Sequence, residues 1–214
     1  MKTHVVDYGR GNIASVCRGV EQSGGEVVLT TRASDLAKAE RVILPGVGAF
    51  GDCMSQLEAL GFVDAVKGFA ATGRPLFGIC VGMQVLHSIG EEFGRHAGIG
   101  FIPGTVSAIP KTTADGQPHK TPHIGWTPLE YPAGKGHERW KGTILEDVEA
   151  GTSVYFVHSF TAAPETAAHR LADCHYNGRL ISAAVQRDNI TGVQFHPEKS
   201  GAAGLKIIER FLRM

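Results

Sequence analysis

The sequence predicts an α/β fold in one domain spanning residues 1–214, with a mostly parallel central sheet flanked by helices and a mixed or antiparallel second half. Three observations lead there. Short apolar runs alternate with helical patterns from the start of the chain to about Ile89. Beyond about residue 100 the pattern changes to closely spaced strand-like pieces separated by turn signals. Finally, 214 residues of which 43% are hydrophobic can bury one large core.

The elements follow in order. "HVVD" (4–7) leads into a helical stretch from Asn12 to about Ser23, and "EVVLTT" (26–31) into a helical "SDLAKAE" (34–40) with Ser34 or Asp35 as its cap. "RVILPG" (41–46) reads as a buried strand stopped by Pro45, followed by helical runs at 52–60 and 62–72. "PLFGIC" (75–80) is the next strand and "VGMQVLHSI" (81–89) the next helix. Each strand is apolar throughout, as a parallel sheet covered on both faces requires. The second half holds "GTVSAI", "HIGWTPLEY", "SVYFVHSF", "HRLADCHY", "RLISAAVQ" and "TGVQFH", with Asn177-Gly178 as a tight hairpin turn. "KTTADGQPHKT" (111–121) is a polar surface loop, and Ser200 is placed to cap a last helix carrying Leu205, Ile208 and Leu212.

Composition narrows the function. Twenty-one basic residues balance 21 acidic ones, so the chain lacks the charge footprint that selects a nucleic-acid backbone or an anionic membrane. No apolar run approaches the ~20 residues of a membrane span, and Asp7 interrupts the N-terminus before a signal-peptide core forms, so a cytoplasmic protein is expected. The four cysteines, Cys17, Cys53, Cys80 and Cys174, form no CxxC pair and read as reduced thiols. His119 and His123 are four apart, but Pro118 and Pro122 deny them a helix, so neither a metal nor a cofactor is expected.

Three short motifs carry chemistry. Gly78-Ile79-Cys80-Val81-Gly82 is the cysteine form of the G-x-S-x-G nucleophile elbow, a strained strand-to-helix turn that exposes its central side chain. A thiol there sits at a helix N-terminus, which favours thiolate. Near the C-terminus, "GVQFHPEKS" ends a strand in His196, Pro197 and Glu198, suited to a base and the carboxylate that orients it. Residues two apart on an extended segment point the same way, and Pro197 stiffens the segment. In "ILPGVGAFGD" a strand runs into Pro45-Gly46-Val47-Gly48, where Val47 or Gly48 can present one backbone donor to an oxyanion while Val81 presents a second. Each motif has a bland reading alone: a buried cysteine, a solvated turn, a glycine-rich loop. Together they favour acyl transfer. A competing fingerprint, Gly9-Arg10-Gly11-Asn12-Ile13-Ala14 with Arg32 ending the second strand, would suit an NADP-binding oxidoreductase and would leave the other three motifs without a role.

These residues resemble the class I, triad-type glutamine amidotransferases, and within them the glutaminase subunits of imidazole glycerol phosphate synthase. The resemblance spans nearly the whole chain, through "DYGRGNIASVCRGVE", "LPGVGAFGDCM", "GICVGMQVL", "PHIGW", "YFVHSF" and "GVQFHPEKS". It implies a flavodoxin-like sheet and a catalytic triad of Cys80, His196 and Glu198. Cys80 would attack the side-chain amide of L-glutamine to give a thioester and ammonia. Gly46, Gly48, Gln84, His158, Ser159 and Phe160 would hold the substrate. Free ammonia is mostly protonated at neutral pH, so the glutaminase must hand it directly to an acceptor enzyme. The resemblance identifies that enzyme as a (β/α)8-barrel cyclase, joined as a heterodimer through Asn12, Trp126, Tyr155 and Lys199 and making imidazole glycerol phosphate in histidine biosynthesis. One departure stands out: Gly125-Trp126-Thr127 replaces the family's usual Gly-Trp-Asn, and region 111–145 is longer and more polar than usual. A paralogous glutaminase feeding a sugar-modifying enzyme and a glutamine-binding subunit without turnover remain as alternatives.

Overall fold

The computed structural model describes residues 2–214. Its first half runs β1 (Lys2–Val6), α1 (Ile13–Gln22), β2 (Glu26–Thr30), a 3-10 segment at Ala33–Lys38, β3 (Val42–Gly46), α2 (Phe50–Ala59), α3 (Phe62–Ala70), β4 (Leu76–Cys80) and α4 (Val81–Gln84). The second half runs β5 (His87–Gly90), β6 (His96–Ala97), β7 (Ile102–Ala108), β8 (His123–Pro128), β9 (Ser153–His158), β10 (Phe160–Pro164), β11 (Arg170–Tyr176), β12 (Arg179–Arg187), β13 (Ile190–Val193) and α5 (Gly201–Leu212).

Seven strands form the main sheet in the order β11-β12-β13-β4-β3-β1-β2. β2, β1, β3, β4 and β13 are mutually parallel, and β12 and β11 add antiparallel at one edge. A four-stranded sheet, β10-β7-β5-β6, and a two-stranded ribbon, β8-β9, complete the second half. The expected fold class therefore holds, with the antiparallel edge built from the C-terminal strands.

Burial follows sheet position. β3 and β4 lie inside the sheet and every one of their residues is buried, whereas β2, the edge strand, leaves Glu26 and Leu29 exposed. The expectation of uniformly apolar strands thus fails where one side of the ladder meets solvent. On α5 the buried stripe is Gly204, Ile207, Ile208, Phe211 and Leu212, with Leu205 only half-buried. Phe211 packs its ring 5.1 Å from that of Phe77 in β4, and burying such a side chain stabilises the fold by about 1.5–3 kcal/mol.

Several local expectations are corrected. Pro45 does not stop β3, which continues through Gly46 opposite Cys80. The missing N–H is tolerated because pairing with β1 has already ended at Ile43. "SDLAKAE" forms a 3-10 segment in which Asp35 pairs with Arg32 at 3.1 Å rather than capping an α-helix. The helix after Cys80 is one turn long, because His87 to Gly90 are drawn into the ladder with β7. Ser200 precedes α5 without capping it; its hydroxyl donates to the His196 carbonyl and accepts from the Tyr155 N–H. The strand expected at "SVYFVHSF" divides at Ser159, so that His158 pairs with His123 in one sheet and Phe160 with Ala108 in another. Asn177 and Gly178 both have positive φ, 48° and 76°, as the expected tight hairpin requires.

β3, β4 and β13 are neighbours in the main sheet, so the three motifs emerge together at its carboxyl edge, where ligands of open α/β sheets bind.

Candidate active site

Cys80 closes β4 and opens α4 with φ 57° and ψ −116°, a conformation costly for any residue but glycine. The surrounding glycines allow it. A Cβ on Gly82 would lie 1.9 Å from the Leu44 carbonyl oxygen, and one on Gly46 2.6 Å from the Gly82 nitrogen, so the turn sits directly against β3. Since α4 is a single turn, its electrostatic contribution comes from the free N–H groups of the first residues and not from a long dipole.

The His196 and Glu198 side chains meet at 2.8 Å through Nδ1 and Oε1, both buried. The segment is not extended as expected. Pro197–Lys199 form a 3-10 turn that brings the carboxylate back under the ring. The His196 N–H donates to the Tyr155 carbonyl at 2.9 Å, which anchors this turn to β9. Nε2 has no hydrogen bond and remains available to a thiol. Burial opposes a charge on His196, but the Cys80 sulfur and the Glu198 carboxylate outweigh it and push the pKa up to about 10.

The third motif supplies backbone. Val47 is 37% exposed and Gly48 adopts φ +98°. The Val47 carbonyl accepts from the Cys53 thiol at 3.5 Å, and in a trans peptide the Gly48 N–H then points the opposite way.

A cleft of about 510 Å³ opens over these elements, within the range of small-molecule sites. Of the expected residues, Asn12, Val47, Gly48, Cys80, Val81, Gln84, His158, Ser159, Phe160, His196 and Lys199 line it. Gly46 and Glu198 stand behind this lining, the first as a close-approach residue, the second as the partner of His196. Trp126 and Tyr155 lie outside the cleft and form a patch with Lys199. Their rings meet edge to face at 6.1 Å, and the Lys199 ammonium stands 6.0 Å from the Tyr155 ring centre. Trp126 is 55% and Ile124 57% exposed on the same face of β8.

Sequence reasoning missed several residues. Gln194 is fully buried and donates from Nε2 to Cys80 Sγ at 3.8 Å, while its Oε1 accepts from Gln84 Nε2 at 2.9 Å. Its place two residues before His196 was the available signal. Glu92 accepts the Phe50 N–H at 2.8 Å, capping α2 from a distant loop, and its neighbour Phe93 lies 90% exposed at the cleft edge. Nothing in the local pattern marks those two.

The glycine fingerprint serves the same cleft. Asn12 lines it, Arg10 pairs with Asp52 at 3.5 Å, and Arg32 is taken up by Asp35. His119 and His123 do not converge: His119 bonds Asn177, whereas His123 bonds His158 and Thr127.

The sequence matches the glutamine amidotransferase class-I family over residues 4–214. Among curated proteins, imidazole glycerol phosphate synthase subunit HisH 1 of Legionella pneumophila (strain Lens) is 47% identical over 210 residues, covering 98% of both chains. Subunit HisH of Rhodospirillum rubrum is 45% identical over 221 residues, covering 100% of this chain and 99% of the relative. Among solved structures, PurLQS from Thermotoga maritima superimposes with a TM-score of 0.71 at 19% identity, covering 99% of this chain and 97% of its own. A crystal structure of a glutamine amidotransferase gives 0.70 at 16%, covering 98% and 97%. These two likenesses carry the fold. Matched along almost its whole length by the family and by relatives nearly half identical to it, the chain belongs to the class-I glutamine amidotransferases.

Proposed function

We propose that this chain is the glutaminase subunit of an imidazole glycerol phosphate synthase. It hydrolyses L-glutamine to glutamate and ammonia through a cysteine thioester and passes the ammonia to a synthase partner in histidine biosynthesis. The observation that carries the reading is Cys80, strained at the carboxyl edge of the sheet and sharing one cleft with His196, whose other ring nitrogen is held by Glu198. Curated relatives from several bacteria that carry the synthase-subunit name support the pathway, and with it the histidine branch over a sugar-modifying or NADP-binding alternative.

The chemistry follows from the geometry. His196 Nε2 takes the thiol proton as Sγ attacks the amide carbon of glutamine. The carbonyl electrons move onto oxygen, which the N–H groups of Val81 and of Val47 or Gly48 stabilise. Collapse of this intermediate expels ammonia, which receives the proton held on His196. Water then gives a proton to His196 and attacks the thioester; glutamate leaves and the sulfur recovers its proton. The Cys80 sulfur and the Glu198 carboxylate keep the thiol proton on His196 as imidazolium until the leaving ammonia takes it. Gln84, Gly48 and the segment His158-Ser159-Phe160 hold the amino-acid end of glutamine, with Gly46 keeping the oxyanion strand against the nucleophile turn.

The partner is a (β/α)8-barrel cyclase, docked as a heterodimer on the face that carries Trp126, Tyr155 and Lys199, where Lys199 also lines the cleft together with Asn12. An exposed tryptophan against a half-buried tyrosine suits an interface core. No helix of residues 2–214 is long and apolar enough to cross a membrane, and the complex is assigned to the cytoplasm.

A glutamine-shaped electrophile tests the site. Labelling is expected on Cys80 alone, slowed by added glutamine and accompanied by loss of hydrolysis. Labelling of Cys17, Cys53 or Cys174 with Cys80 unmodified would remove the assignment.

A further inference from the structure

A chain of hydrogen bonds runs from the half-buried Thr127 on β8 to the nucleophile. Thr127 Oγ1 lies 2.7 Å from His123 Nε2, and His123 Nδ1 lies 2.9 Å from His158 Nε2. His158 Nδ1 lies 2.8 Å from the Phe160 carbonyl oxygen. That oxygen also accepts from Gln84 Nε2 at 3.2 Å, and Gln84 Nε2 donates again to Gln194 Oε1 at 2.9 Å. Gln194 Nε2 finally donates to Cys80 Sγ at 3.8 Å.

The directions are fixed from one end. A carbonyl oxygen only accepts, so His158 must carry its proton on Nδ1. Its Nε2 is then an acceptor, which requires the proton of His123 on Nδ1. That leaves His123 Nε2 bare, to accept from the Thr127 hydroxyl. Both rings are neutral in this arrangement, in keeping with the burial that pushes His123 down to about 4 and His158 to about 3. His123 is held flat between Phe156 and Tyr176, with ring centres 4.8 and 4.2 Å away, so it cannot turn to another partner. At the inner end, the two N–H bonds of Gln84 are both used, and only its Oε1 is left for a ligand.

We propose that Thr127 and His123 are positioning residues for glutamine. The Phe160 carbonyl sets the proton of His158 on Nδ1 and that of His123 on Nδ1 in turn; the Thr127 hydroxyl, donating to the bare His123 Nε2, holds the two rings in that arrangement, which keeps the Phe160 carbonyl shared with Gln84 Nε2 and the Gln84 amide oxygen facing the substrate's ammonium group. The proposal rests on the glutaminase reading and names how its substrate site is oriented.

The test compares Thr127→Val with Thr127→Ser in the complex with the synthase subunit, using L-glutamine. Thr127→Val removes the donor with little change in shape and is expected to raise KM for glutamine about 10-fold, the scale of one lost buried hydrogen bond, with kcat within about twofold. Thr127→Ser is expected to restore the wild-type KM. A nitrogen-15 imidazole spectrum of the unmodified chain at neutral pH is expected to place His123 and His158 both in the neutral Nδ1–H form, which needs no variant. An unchanged KM in Thr127→Val, or either ring in the Nε2–H form, would overturn the proposal. Failure of the wild-type complex to hydrolyse glutamine would instead remove the glutaminase reading, leaving the spectrum to decide the hydrogen-bond order.

Discussion

His196 and Glu198 are adjacent in chemistry but unequal in task. In the proposed mechanism His196 moves a proton in every step, whereas Glu198 holds Nδ1 at 2.8 Å and leaves Nε2 free. His196→Ala is therefore expected to cost more turnover than Glu198→Ala, measured as kcat in the complex. Equal losses would mean that the pair acts as one unit, and a larger loss for Glu198→Ala would reverse the roles. At this scale the proposed triad was legible in the sequence because each member sits in a short motif with its own steric signature. Gln194 and the His123–His158 pair were not. The two histidines are 35 positions apart and meet only through the antiparallel register of β8 and β9, which no local pattern encodes.

The nucleophile turn is where local sequence and tertiary packing disagree. "VGMQVLHSI" has helical periodicity, yet the chain leaves the helix after Gln84 because ladder bonds to β7 satisfy more backbone groups than another turn would. Ser200 follows the same logic, its hydroxyl claimed by β9 and by His196 in place of the helix end. Strands were easier to read because β3 and β4 are buried on both faces and leave an unbroken apolar run. The glycines of the turn give a direct test. Gly82→Ala drives a methyl to 1.9 Å from the Leu44 oxygen, and with backbone on both sides neither can yield cheaply. It is expected to lower stability by at least about 3 kcal/mol in denaturant unfolding. Gly68→Ala in α3, where a Cβ meets nothing within 4 Å, is expected to gain about 0.5–1 kcal/mol from helix propensity. Similar effects for the two variants would contradict the close packing assigned to the turn.

Across the molecule, burial leaves three histidines neutral: His87 and His123 are pushed down to about 4 and His158 to about 3. Each has a folded pKa below its unfolded value near 6.5, so the unfolded chain binds more protons between those limits. Their contribution to stability is full above about 6.5 and falls as pH drops toward 4, by about 1.4 kcal/mol per pH unit for each histidine. His196, raised to about 10, is protonated in both states below about 6.5 and adds nothing to this slope; its contribution is lost as pH rises from about 6.5 to about 10. Unfolding free energies at pH 5 and 6 measure the slope, and His87→Asn, which retains a donor toward the Met83 and Gln84 carbonyls, is expected to reduce it by about one proton. No dependence on pH in this window would contradict the neutral assignment. The fold places the three motifs on adjacent parallel strands so that one thiol can generate ammonia for a second subunit. Cys80→Ala tests that claim most directly, assayed in the complex with glutamine and, separately, with an ammonium salt. The expected result is no glutamine hydrolysis with ammonia-dependent synthesis intact; glutamine hydrolysis persisting in the variant would contradict it.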